Sequence, residues 1–287
     1  MFLNSYMRAD AALPLSDDQI RRAAPSVFAD EVSSHVSSRY RMVTTSSVVA
    51  GMRDAGFFPV AVMQSASKLP GGEMFAKHML RFRHADALAL AKKQEYEEVI
   101  LTTAHDGTSS FQLDLGLFRL VCQNGLIVGR TAGRVTIPHV GDAVGMVIEG
   151  ATRVLEDVRE VIEARDSMKA ITLSPHEQTT FAQAALTLWY GENSPITPEQ
   201  VLRVRRIGDF DPSLWNTFNA VQENMIKGGM SGFAASGRRT RTRAITSIST
   251  DMAVNRMLWS LADAARNMKE TLDLDGMLEE AENAIAV

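Results

Sequence analysis

Apolar and polar positions follow two different rhythms along this chain. In the first half they occur in short runs of strand length, bounded by glycine and proline. Residues 57–64 form one such run and predict a strand. Residues 74–83 alternate, which puts Phe75, Lys77, Met79, Arg81 and Arg83 on one face and Met74, Ala76, His78, Leu80 and Phe82 on the other. Leu69-Pro70-Gly71-Gly72 would join these two strands as a hairpin. Residues 99–103 predict a third strand, and residues 40–43 are β-prone. Residues 111–128 are ambiguous between strand and a short helix carrying Leu113, Leu117 and Leu120. Short helices are expected between these runs. Ser16-Asp17-Asp18-Gln19 has the form of a capping box, and its helix should stop before Pro25. Ser46 would cap another, bearing Val48, Val49 and Met52 and ending at Gly56.

The second half has a helical period. Val144, Val147, Ile148, Ala151, Val154, Leu155, Val158, Val161 and Ile162 recur every three or four residues, predicting one long amphipathic helix. Ser174-Pro175-His176-Glu177 and Thr197-Pro198-Glu199-Gln200 each place a hydroxyl cap, a proline and a returning acid or amide at a helix start. Asp211-Pro212 would open another with a carboxylate cap, ending near Gly228-Gly229. A final helix is expected over residues 249–268. Strands first and helices later predict an α+β fold, with an N-terminal antiparallel sheet and short helices and a mostly α-helical C-terminal half. The organisation read from this is a mixed, β-rich region over residues 1–140. A helical region over 141–270 would pack on it as one compact unit, with an acidic peripheral tail over 271–287.

With 287 residues, 45% of them hydrophobic, the chain can bury a large core. Its net charge of −4 argues against binding a polyanion over the whole surface and leaves room for a local basic patch. The single cysteine, Cys122, cannot form an internal disulfide and fits a reducing compartment. It reads as a small buried apolar residue in Leu120-Val121-Cys122. The N-terminus lacks the plan of a signal peptide, and no apolar run reaches bilayer length. A cytoplasmic protein with no membrane partner is expected.

Residues 227–243 hold Lys227, Arg238, Arg239, Arg241 and Arg243 and no acid, with Phe233 as their aromatic residue. If Arg239-Thr240-Arg241-Thr242-Arg243 is extended, its three arginines project to one side. Guanidinium forks on a glycine-rich loop suit phosphate oxygens, and Phe233 offers a stacking face to a base. The same pattern fits a solvated loop, or arginines paired with acidic helices. A second basic stretch runs from 68 to 93, where Lys77, Arg81 and Arg83 share a strand face that could hold single-stranded nucleic acid or simply face solvent. His105 and Asp106 could form a ligand pair or an oriented base. Asp106-Gly107 is equally a common turn dipeptide. His78, His84, His105 and His139 do not stand at zinc-site spacings, and no catalytic residue, metal ligand set or cofactor is assigned.

The stretches His105-Asp106-Gly107-Thr108-Ser109-Ser110-Phe111-Gln112-Leu113 and Phe118-Arg119-Leu120-Val121-Cys122-Gln123-Asn124-Gly125-Leu126 are distinctive in wording. With Ser38-Arg39-Tyr40, Gly56-Phe57, His78-Met79-Leu80-Arg81-Phe82-Arg83, Leu214-Trp215 and Leu258-Trp259, they resemble a phage- and plasmid-borne family known as domain of unknown function nine hundred and thirty-two. The resemblance implies a bacterial, phage or plasmid origin among genes for DNA replication, recombination or host conflict, and it transfers no catalytic residue. The function expected is non-enzymatic binding of single-stranded DNA or other nucleic acid, as an annealing or recombination accessory. A homo-oligomer is expected, because several copies would line their loops along one groove. The alternative is an anti-defence protein that blocks a host nuclease or surveillance complex with its acidic C-terminal helices. A metal-assisted hydrolase using His105 and Asp106 is the third reading.

Overall fold

The computed structural model describes residues 5–9, 13–31, 43–66, 72–89, 95–106, 109–119, 125–128, 134–139 and 141–285. The chain divides into two units, Met1–Arg159 with Thr246–Met252, and Glu160–Ile245 with Ala253–Val287. The α+β expectation holds, with an antiparallel sheet and short helices first and a helical region after it.

In the first unit the elements are β1 (Ser5–Arg8), α1 (Asp17–Ala23), α2 (Thr45–Asp54), β2 (Phe57–Gln64), β3 (His78–His84), α3 (Ala85–Ala89), β4 (Glu95–Thr103), β5 (Phe111–Arg119), β6 (Gly125–Val128), β7 (Val135–Ile137) and α4 (Ala143–Glu156). Strands β1 to β6 lie in chain order, every pairing antiparallel, and β7 shares the outer edge of β5 with β6. The capping box at Ser16 and Gln19 forms as read, and a 3-10 turn over Pro25–Phe28 follows its helix. Other readings shift. Thr44, not Ser46, caps α2, accepting from the Ser47 N–H. The strand expected from Met74 begins at His78, because residues 72–75 form a 3-10 turn. The ambiguous 111–128 stretch is two strands. The proposed hairpin at 69–72, the β-prone 40–43 stretch and Cys122 lie largely or wholly outside the described residues.

Strand alternation gives the sheet two unlike faces. Val62, Leu80, Leu101 and Leu113 stand in register across β2 to β5 on one face. Helices α2 and α4 pack together and over it, and each such buried side chain contributes roughly 1.5–3 kcal/mol. The other face carries Met79, Ile100 and Phe118, which pack with Ile248 and Met252 from the first turn of the last helix.

The second unit contains α5 (Val158–Ala170), α6 (Pro175–Tyr190), α7 (Pro198–Val201), α8 (Leu214–Lys227), the hairpin β8 (Ser231–Phe233) and β9 (Arg239–Arg241), and α9 (Ile248–Ile285), whose first turn groups with the first unit. The helix expected over 144–162 is divided at Asp157 between α4 and α5. Ser174 and Glu177 form the capping box as read, and Gly191 ends α6 at φ 74°. The cap of α8 is Ser213 rather than Asp211, its hydroxyl accepting from the Asn216 N–H at 3.2 Å. The last helix is longer than expected, reaching Ile285. Helix α8 is the buried centre of this unit, with Trp215 stacked on Phe218 and Phe218 edge-on to Trp259. Among the described residues no helix is long and apolar enough to cross a membrane.

Candidate functional site

The basic run 227–243 is not a loose loop. Helix α8 ends at Gly228, and Gly228 and Gly229 take φ 58° and 83°, a reversal that favours glycine. A Cβ on Gly228 would stand 2.5 Å from the Arg243 carbonyl group, so the returning strand is held close. The strands then pair Ser231 with Arg241, Gly232 with Thr240 and Phe233 with Arg239. Gly232 faces the Pro195–Ile196 segment so closely that a Cβ would lie 1.6 Å from the Pro195 carbonyl oxygen, and the Phe233 N–H donates to that oxygen at 3.1 Å. Alternation therefore sends Phe233, Arg239 and Arg241 to the opposite, outward face. Phe233 is 60% exposed, and Arg238, Arg239, Arg241 and Arg243 are all exposed. None of these four arginines has a carboxylate partner among the described residues. Lys227 differs: its ammonium pairs with Glu223, which also binds Arg206 at 2.6 Å.

Sequence reading missed Arg203 and Arg205. Both are exposed, and with Gly228, Gly229 and Ser231 they line a cleft at the foot of the hairpin. The Arg203-Val204-Arg205-Arg206 run was the available signal. Beside it Ile207 is 90% and Phe210 69% exposed. The polar row on α8 faces inward. Asn219 donates to the Trp215 carbonyl, Gln222 to Asn255, and Asn224 to the carbonyls of Val201, Arg203 and Ala220.

The other basic candidates lie in the first unit and do not form the solvent-facing strand that was expected. Arg81 and Arg83 are each 2% exposed. Arg81 Nε donates to Glu98 at 2.6 Å and Arg83 donates to its second oxygen at 2.5 Å. The two guanidinium planes cover Phe118 and Tyr96, at 3.2 and 3.7 Å from the ring centres. Burying a charge is tolerated when it is paired and hydrogen-bonded, and Glu98 pairs both. Lys77 is partly buried and donates to Ser249 at 3.0 Å.

His105 joins a buried chain of imidazoles and hydroxyls at one end of the sheet. The Ser26 hydroxyl donates to Gln64 Oε1 at 2.7 Å. It must therefore accept from His78 Nδ1–H at 2.8 Å. A neutral His78 then accepts at Nε2 from the Thr45 hydroxyl at 2.9 Å, and Thr45 accepts from His105 Nε2–H at 3.0 Å. His105 Nδ1 is left as a buried acceptor without a partner among the described residues. His139 completes the group, with Nε2 3.1 Å from the Thr103 hydroxyl and its ring stacked on Phe111. Burial holds His78 down at about 3 and His105 at about 4, and lowers His139 as well. Asp106, beside His105, is exposed. Among the described residues no group of three or more His, Cys, Asp or Glu is placed to hold a metal ion.

Two relatives of Escherichia coli (strain K12) resemble the chain along most of its length. UPF0380 protein YafZ is 42% identical over 252 residues, covering 88% of this chain and 91% of that protein. UPF0380 protein YfjQ is 42% identical over 251 residues, covering 87% and 91%. No solved structure matches the fold. The family model described as Domain of unknown function (DUF932) matches residues 32–259, which takes in His78, His105, His139 and the arginine hairpin together, and the chain belongs to that family.

Proposed function

We propose that the chain is a cytoplasmic nucleic-acid-binding protein of a mobile element, acting on single-stranded DNA as a binding, annealing or recombination accessory. One observation carries the reading: Arg238, Arg239, Arg241 and Arg243 stand exposed on a formed hairpin without carboxylate partners among the described residues, beside an exposed Phe233. Guanidinium forks bind phosphate oxygens in pairs, and an aromatic face adds about 1–3 kcal/mol per stacked base. Lys227, committed to Glu223, is peripheral to this surface, and Lys77, Arg81 and Arg83 are left out of it. Self-association would place several hairpins along one strand. Fluorescence anisotropy with single- and double-stranded oligonucleotides at two salt concentrations tests the proposal. Binding should weaken steeply with salt, and Arg239→Ala with Arg241→Ala should flatten that dependence. Absent or salt-insensitive binding would remove it.

The anti-defence alternative draws on α9, where residues 270–285 carry six acids and no base. A tight complex with a host nuclease in the absence of DNA would favour that reading over the first.

A further inference from the structure

The cleft at the foot of the hairpin has a volume of about 330 Å³ and no acidic residue in its lining. Its walls are prepared before any ligand arrives. Asn224, 2% exposed, donates to the carbonyls of Val201 and Arg203 and so fixes the segment that bears Arg203 and Arg205. Its own side-chain oxygen accepts from Arg205 Nε at 2.7 Å. Outside the lining, Arg241 on the hairpin donates from Nε at 2.7 Å to the carbonyl of Gly229, which is a lining residue. Both guanidinium groups are thus anchored by one edge, while their terminal nitrogens have no partner among the described residues. Arg203 is the second guanidinium in the lining, and its fork is uncommitted among the described residues. Glu223, the carboxylate beside Asn224 on α8, is occupied by Arg206 and Lys227. The C-terminal end of α8 contributes a partial negative charge of about half a unit, well below the two guanidinium charges of Arg203 and Arg205.

We infer that this cleft binds a phosphomonoester, the terminal phosphate of a nucleic-acid strand whose body runs over the arginine hairpin. A terminal phosphate carries about 1.5 to 2 negative charges near neutral pH and three free oxygens. The two forks of Arg203 and Arg205 in one cleft match that charge better than they match one internal phosphodiester, which bears a single charge and must pass through. The inference deepens the nucleic-acid reading and rests on it for the identity of the strand.

The test uses the full chain and one oligonucleotide made with a 5′-phosphate, a 3′-phosphate or hydroxyls at both ends. One phosphorylated form should bind roughly tenfold more tightly than the hydroxyl form, as expected for added charge-assisted hydrogen bonds. Arg203→Gln with Arg205→Gln should bring that ratio to about one. Equal affinities for all three forms in the unaltered protein would overturn the inference while leaving strand binding intact. If no oligonucleotide binds, the nucleic-acid reading fails, and the cleft is judged by melting temperature in inorganic phosphate against chloride at equal ionic strength. Stabilisation by phosphate that the double variant loses keeps the cleft as a phosphate site, and no such difference removes it.

Discussion

At the residue scale the most consequential side chain is one that sequence reading passed over. Glu98 is fully buried and binds Arg81 and Arg83 together, one through each carboxylate oxygen. Replacing it by alanine removes the carboxylate that both buried guanidinium groups bind, and unfolding in urea should show a loss of about 3–5 kcal/mol. A triple variant with leucine at 98 and methionine at 81 and 83 should regain most of that loss, because apolar groups of similar size need no partner. A triple variant no more stable than Glu98→Ala would contradict this account. Gly232 makes the complementary case. Its Cβ would meet a backbone carbonyl rather than a yielding side chain, so Gly232→Ala must displace β8. Oligonucleotide binding should weaken although no charge is removed, and unchanged affinity would separate the hairpin's position from its function.

At the scale of elements, the histidine chain makes stability depend on pH. As pH falls below about 6.5 the unfolded chain protonates His78 and His105, while the folded chain does so only near 3 and 4. Unfolding therefore takes up protons in that window, and stability falls by about 1.4 kcal/mol per pH unit for each imidazole. Asp251 works in the opposite sense. Burial raises its carboxyl to about 6, so the folded chain protonates it first and regains stability as pH falls toward the ordinary carboxylate value. Two imidazoles against one carboxyl leave a net loss of about 2–3 kcal/mol between pH 7 and pH 5. Equal denaturation midpoints at the two values would refute the assignment. Thr45→Val should cost about 1–3 kcal/mol at neutral pH, since both imidazoles lose the hydroxyl they share. These elements also mark what could be read in advance. The capping boxes at Ser16 and Ser174 and the strand over Phe57–Gln64 rest on local rules and were legible. The histidine chain was not, because Ser26 in a 3-10 turn, Thr45 at the start of α2, His78 on β3 and His105 just past β4 meet only through tertiary packing. Alternation did show that Arg81 and Arg83 share a face, but not that a turn of α9 and a glutamate on the neighbouring strand close over that face. The arginine hairpin hid in a glycine-rich run because its strands have only three residues each.

At the scale of the whole molecule, a net charge of −4 and an exposed arginine hairpin pull in opposite directions. Distant attraction to a polyanion is weak, so affinity must come from local contacts. If the four hairpin arginines each meet a phosphate on a single strand, the logarithm of the binding constant should fall with that of salt concentration at a slope of about −3. Removing Arg239 and Arg241 should reduce the slope by about 1.4. A slope near zero in the unaltered protein would mean that the hairpin does not meet phosphate. The tip of that hairpin, from Ala234 to Arg238 with Gly237 at φ 76°, is also an exposed, arginine-flanked turn. Trypsin cleaves after arginine, and protruding turns are preferred sites of nicking. Brief digestion should therefore cut first around Arg238 and Arg239, and a bound strand should shield those peptide bonds, so that a protease gel reports occupancy without a label on either partner.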